Sequence, residues 1–156
     1  MSHTSLDALN LLLERATQER DRLAVELRRG EEVLLRARHQ GEQLGSYRGE
    51  YAQRWSAQFG RGGAIEIVHC YQSFMQRLDE ALAQQQRHID AAERGVAAVR
   101  QALMQAEIRV ASVKKLIERR QAEMARQQQR RDQRQTDETA QHLALRRARQ
   151  GLALQH

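Results

Sequence analysis

Apolar residues recur along the first third of this chain in alternating steps of three and four. From Leu6 the stripe passes through Leu9, Leu13, Ala16, Arg20, Leu23, Leu27, Gly30, Leu34, Ala37, Gly41, Leu44, Arg48, Tyr51 and Trp55, and only Arg20 and Arg48 carry charge. Such a repeat, sustained over seven heptads, is the seam of a coiled coil rather than the face of a short amphipathic helix. It stops at GRGG, residues 60–63, the densest glycine cluster present. Glycine takes the left-handed conformations that end helices and turn chains, so this is a hairpin tip. A second seam then runs Ala64, Val68, Tyr71, Met75, Leu78, Leu82, Gln85, Ile89, Ala92, Val96, Val99, Leu103, Ala106, Val110, Val113 and Ile117. Past Ile117 it decays through Arg120, Met124, Gln127, Arg131 and Arg134.

Folding the chain at the glycines sets residue i against residue 123 minus i, which pairs Trp55 with Val68, Tyr51 with Tyr71 or its neighbour, Leu44 with Leu78 or Asp79, Leu27 with Val96, and Leu6 with Ile117. The second seam ends where the first helix has nothing left to oppose it. The predicted fold is therefore all-α: two long helices, about 5–59 and 64–135, forming an antiparallel coiled-coil hairpin about the turn at 60–63, with a C-terminal helical overhang. Residues 1–156 read as a single coiled-coil protein whose paired part is about 80 Å long at 1.5 Å per residue. Gly30, opposite Ala92 or its neighbour, and Gly41, opposite Leu82, read in two ways. They are sites of close helix approach that tolerate a cost of about 1 kcal/mol each, or they are bending points.

Composition sharpens this picture. Aromatic residues make up 4% of the chain and charged residues 29%, proline is absent, and the mean hydropathy is −0.78. Those values exclude a broad three-dimensional core and fit a narrow apolar stripe on long helices. No stretch approaches the roughly 18–20 uninterrupted apolar residues that membrane spanning requires. The opening MSHTSLDALNLLLER has no basic n-region and too short an apolar run for a signal peptide. Cys70 is the only cysteine, so no intrachain disulfide forms and a reducing cytoplasm is expected.

The net charge of +6 is unevenly placed. Residues 1–113 hold 15 Arg against 15 acids, whereas residues 114–156 hold 11 Lys and Arg against five acids. The basic excess thus lies in the segment 119–156 and just before it. Read from the residues, that segment is a solvated helix end, a dock for an acidic protein partner, or a site for nucleic acid or anionic membrane. It lacks aromatic rings for base stacking and the large apolar face of an interfacial helix, so neither nucleic-acid binding nor direct membrane insertion is expected. Catalytic chemistry is equally absent: GRGG lacks the Lys-Ser/Thr of a phosphate-binding loop, and His69 beside Cys70 lacks further zinc ligands. His39, His88 and His142 stand alone on helices. The expectation is no enzyme, no metal and no cofactor.

All six aromatic residues fall within 47–74: Tyr47, Tyr51, Trp55, Phe59, Tyr71 and Phe74. Tyr51, Trp55 and Tyr71 lie on the seams, whereas Tyr47 and Phe74 lie off them. Two strips share one face across the hairpin: Gln40, Leu44, Tyr47 and Tyr51 on the first helix, and Phe74, Leu78, Ala81 and Gln85 on the second. Together they form either an aromatic–aliphatic binding patch or a thickened core at the tip.

YRGEYAQR, the glycine turn, YQSFMQRLDEALAQQQ and the DET-A of Asp137 to Ala140 resemble the flagellar FliJ family, in an order and spacing that cover nearly the whole chain. The resemblance implies a non-enzymatic component of the flagellar type III export apparatus. Members are similar to the central stalk of rotary ATPases, and link the hexameric export ATPase to the export-gate membrane protein FlhA. They interact with export chaperones and support flagellar assembly, motility and hence chemotaxis. The implied setting is the cytoplasm, peripherally associated with the inner face of the membrane at the flagellar base, as a monomer when free. The gate-contacting surface of the family maps onto Gln40, Leu44, Tyr47, Tyr51, Phe74, Leu78, Ala81 and Gln85, with Gln85 standing where relatives can carry histidine. The ATPase-facing end maps onto Leu9, Leu13, Arg20, Ile117, Arg119 and Arg120. The alternatives are a structural coiled-coil spacer, an injectisome stalk protein, or a basic coiled coil that binds nucleic acid.

Overall fold

The computed structural model describes residues 2–59 and 62–155. Helix α1 spans Ser2–Phe59 and helix α2 spans Ile65–Leu154; no strand occurs among the described residues. Gly60 and Arg61, the first half of the expected turn, lie outside the described residues. The second half behaves as glycine should. Gly62 has φ of +120°, a backbone conformation that L side chains rarely adopt, and its N–H donates to the Phe59 carbonyl at 3.3 Å. The Ala64 carbonyl then accepts from the N–H groups of Ile67 and Val68 and opens α2.

The helices pack as an antiparallel hairpin and divide into two compact units. In the unit Gln18–Glu107, the buried residues Leu23, Leu34, Ala37, Leu78, Ile89, Val96 and Ala106 all lie on the seams read from the sequence. Leu34, Ala37, Ile89 and Val96 form one cluster, against which Leu27 and Ala92 pack. The other unit joins the residues up to Thr17 with those from Ile108 onward. There Ala16, Val110, Val113 and Ile117 are buried, and Leu6, Leu9 and Leu13 are half-buried. No described side chain in either unit is completely sealed from solvent, as a two-helix seam requires.

The axial offset differs from the expected fold about 123. A Cβ on Gly30 would stand 3.3 Å from Val96, and one on Gly41 would stand 3.2 Å from Ile89, so these partners lie farther from the turn than Ala92 and Leu82. Helical side chains lean toward the N-terminus of their own helix. In α2 that direction is toward the turn, so a side chain that fills a glycine gap starts about a turn or more beyond it. Gly30 and Gly41 are therefore the places where Val96 and Ile89 enter. Gly49, by contrast, has open space around it. Gly49→Ala should raise stability by about 1 kcal/mol through helix propensity, whereas Gly41→Leu should lower it, since overpacking costs about 1–3 kcal/mol. Thermal melts followed by circular dichroism measure both.

Helix α2 also continues past residue 135, where the seam had suggested an end. The segment holds one Gly, no Pro and many Arg, Gln and Ala, all good helix formers except the glycine. The Gln128 and Gln133 amides donate to Asp132 and Asp137 one turn on, which supports an unpartnered helix. From residue 118 onward every described side chain is exposed except Met124.

Candidate functional site

Within the unit Gln18–Glu107 the six aromatic rings are not scattered along the tip; they touch in sequence across it. Trp55 stacks on Tyr71 with centroids 4.2 Å apart, and Tyr71 stacks on Tyr51 at 6.0 Å, both pairs tilted by only 13°. Tyr51 meets Phe74 at 4.5 Å, and Phe74 meets Tyr47 edge-on at 6.5 Å. At the other end Phe59 lies 4.6 Å from Trp55 and packs over Gly63, where a Cβ would stand 3.7 Å from its ring. Aromatic pairs in these geometries stabilise by about 0.5–1.5 kcal/mol beyond the area they bury. The ladder thus braces the tip at one end and reaches solvent at the other, because Tyr47 is 48% exposed.

The two strips drawn from the sequence do face each other. Besides the Tyr47–Phe74 contact, the Gln85 amide donates to the Ala37 carbonyl at 2.8 Å and to the Gln40 side-chain oxygen at 3.3 Å. A glutamine reaches both acceptors with its single NH2 group, so Gln85 ties the two strips together. Exposure varies within the strips. Gln40 and Tyr47 are exposed; Leu44, Tyr51, Phe74, Ala81 and Gln85 are half-buried. Leu78 is buried at 8% and serves the core, as its seam position dictates. Phe74, read as off the seam, is half-buried because Tyr51 and Tyr47 both lean on its ring.

Three ion pairs cross the hairpin in this unit: Glu31 with Arg100 at 3.1 Å, Arg38 with Glu93 at 2.9 Å, and Arg48 with both carboxylate oxygens of Asp79. The hydrogen bond and charge of Asp79 raise the Arg48 pKa further above its ordinary value, so this seam arginine stays cationic throughout the neutral range. The 3-4 apolar repeat by itself leaves Glu31 and Asp79 off the seams. The missed signal is that Glu31 and Arg38 are seven residues apart, as are Glu93 and Arg100, with opposite charges in antiparallel order. Arg20, also in this unit, is half-buried and held by the adjacent Asp21 at 3.1 Å.

The remaining residues expected to face the ATPase belong to the other unit. Leu9 and Leu13 are half-buried, Ile117 is 8% exposed, and Arg119 and Arg120 are exposed. Ile117 is a seam residue and closes the core, so the arginines supply the accessible chemistry. Among the described residues none of the 11 Lys and Arg between Lys114 and Arg149 is engaged in an ion pair. Among the described residues no group of three His, Cys, Asp or Glu converges as a metal site, and no helix is long and apolar enough to cross a membrane.

Compared with known proteins, residues 5–149 match the family model described as "Flagellar FliJ protein". Neither the comparison with curated proteins nor that with solved structures found a match.

Proposed function

Because the chain belongs to the flagellar FliJ family, and is thereby a component of flagellar type III export, we propose that it is a stalk-like coupling protein of that apparatus. In this reading the aromatic tip contacts the export-gate protein FlhA, and the basic end of α2 contacts the hexameric export ATPase. Export chaperones are further partners. The protein acts at the cytoplasmic face of the membrane at the flagellar base, and motility depends on it. It works by binding and not by catalysis.

The observation that carries this reading is the solvent end of the aromatic ladder. Tyr47 is exposed although it contacts Phe74 and Tyr51, which leaves a pre-ordered phenol at the edge of an apolar surface. Tyrosines in that setting dominate binding energy at protein interfaces, each contributing about 2 kcal/mol or more when truncated. The Tyr47→Ala/Phe74→Ala double variant should therefore weaken binding of the gate protein's cytoplasmic domain by at least about a hundredfold, since 1.4 kcal/mol is a factor of ten. Helicity should survive, because Trp55, Tyr71 and Tyr51 remain stacked. Collapse of the helical signal in the double variant would assign the rings to the core alone. Unchanged affinity with intact helicity would remove the gate contact from this surface.

A further inference from the structure

The hairpin between residues 31 and 100 has two unlike flanks. On one flank, Glu31, Arg38, Glu93 and Arg100 are spaced by sevens along their helices and close the seam with the ion pairs Glu31–Arg100 and Arg38–Glu93; Asp79, at the same heptad position as Glu93, adds its pair with Arg48. On the opposite flank the corresponding positions are Val33, Gln40 and Tyr47 on α1 and Phe74, Ala81 and His88 on α2. No ion pair crosses the seam there among the described residues. Instead a groove lies between the helices, lined by Val33, Arg36, Gln40, Gln85, His88 and Ala92, with Ala37 at its floor.

We propose that this groove continues the aromatic docking surface away from the tip and seats one acidic, amphipathic helix of the gate partner. The inference rests on the gate-binding reading above and extends it. Three features fix the occupant. The corresponding positions Val33 and His88, Gln40 and Ala81, and Tyr47 and Phe74 follow one another along the flank by one heptad, about 10.5 Å. That is the repeat at which a helix presents side chains i and i+7, so a third helix laid along the groove meets each point in turn. The walls offer apolar surface at Val33, which is 55% exposed, and at Ala92. The lining contains a guanidinium and an imidazole but no carboxylate, and among the described residues the one ion pair of Arg36 is with Glu32 of its own helix, at 3.8 Å and largely exposed. A carboxylate on the incoming helix thus finds a cation with room to turn toward it. The ion-paired flank also carries a groove, but its lining includes the carboxylates of Glu42 and Glu93, and its Arg38 is already paired with Glu93, so it does not suit an acidic helix.

The test is photo-crosslinking of the full chain to the purified cytoplasmic domain of the gate protein. A benzophenone-bearing phenylalanine analogue replaces, one at a time, Tyr47, Val33 and His88 on the open flank, and Arg38 and Glu93 on the sealed one. Capture from positions 47, 33 and 88, with none from 38 and 93, is the expected result. Capture from 47 alone overturns the groove and leaves the tip contact standing. Capture from both flanks overturns the sidedness, and capture from no position overturns this proposal together with the gate reading on which it rests. Calorimetry supplies the charge arm: Arg36→Glu should lower affinity about tenfold, whereas Arg36→Lys should keep it within about twofold. Affinity unchanged by Arg36→Glu, with helicity intact, overturns the acidic occupant.

Discussion

Val96→Asp is expected to destroy the cooperative unfolding of the hairpin, whereas Ala97→Asp, one residue away, should scarcely alter it. Both substitutions put the same side chain into the same stretch of α2, so they share the intrinsic helix cost of aspartate, under 1 kcal/mol. They differ in burial. Val96 is 4% exposed, belongs to the Leu34–Ala37–Ile89 cluster and fills the space left by Gly30; Ala97 is exposed. Removing the valine forfeits roughly 1.5–3 kcal/mol of apolar burial, and a carboxylate at that site has no cation to meet it. An uncompensated buried charge costs about 3–5 kcal/mol. The sum rivals the whole stability of an ordinary domain, about 5–15 kcal/mol. A two-helix seam has no second layer into which to shift the loss. Ellipticity at 222 nm against temperature reads the outcome. A Val96→Asp melt that overlays that of Ala97→Asp would mean that the seam is not what holds the helices together.

The seam was legible because a 3-4 alternation can be satisfied by only one face of a helix. Every position of the first stripe from Leu6 to Trp55 is covered, and in the second only Ala64, at the turn, is exposed. The meeting of the two strips was legible for the same reason, since steps of four, three and four keep Gln40 to Tyr51 and Phe74 to Gln85 on one flank. What escaped depends on side-chain length and direction, which a periodicity does not encode. The partners of Gly30 and Gly41 were misplaced because α2 side chains lean toward the turn. Phe74 lies off the seam in the sequence, and its half-burial comes from the rings of Tyr47 and Tyr51. Leu78 and Ile117 stand on the second seam in the sequence, and their burial follows from that position. The unlike flanks were present in the sequence as charges seven apart. They become meaningful only when the antiparallel order sets Arg38 beside Glu93.

Truncating the chain after Ala125 should remove helix and partner binding without weakening the hairpin. The deleted segment contains 29 of the residues in α2, from Arg126 to Leu154, out of 58 and 90 helical residues in the two elements. The mean signal at 222 nm, expressed per molecule, should therefore fall by about a fifth if the segment is as helical alone as its propensity and its glutamine–aspartate pairs suggest. The melting midpoint should stay within about 2 °C, because a change of 1 kcal/mol shifts the midpoint of a chain this size by about 2–4 °C. No described side chain beyond Ala125 is shielded by another part of the protein. The same cut removes seven arginines against three acids, and this cluster holds most of the free cations of the basic end. Association with the ATPase should then fall by tenfold or more, and the remainder should lose much of its dependence on salt, since exposed charges act within a Debye length of about 8–10 Å. The two readouts separate the roles. A midpoint lowered by 5 °C or more would show that the segment folds back and stabilises the hairpin. Full ATPase binding by the shortened chain would move that contact onto Leu9, Leu13 and the first turns of α1, leaving the exposed arginines as a solvated helix end.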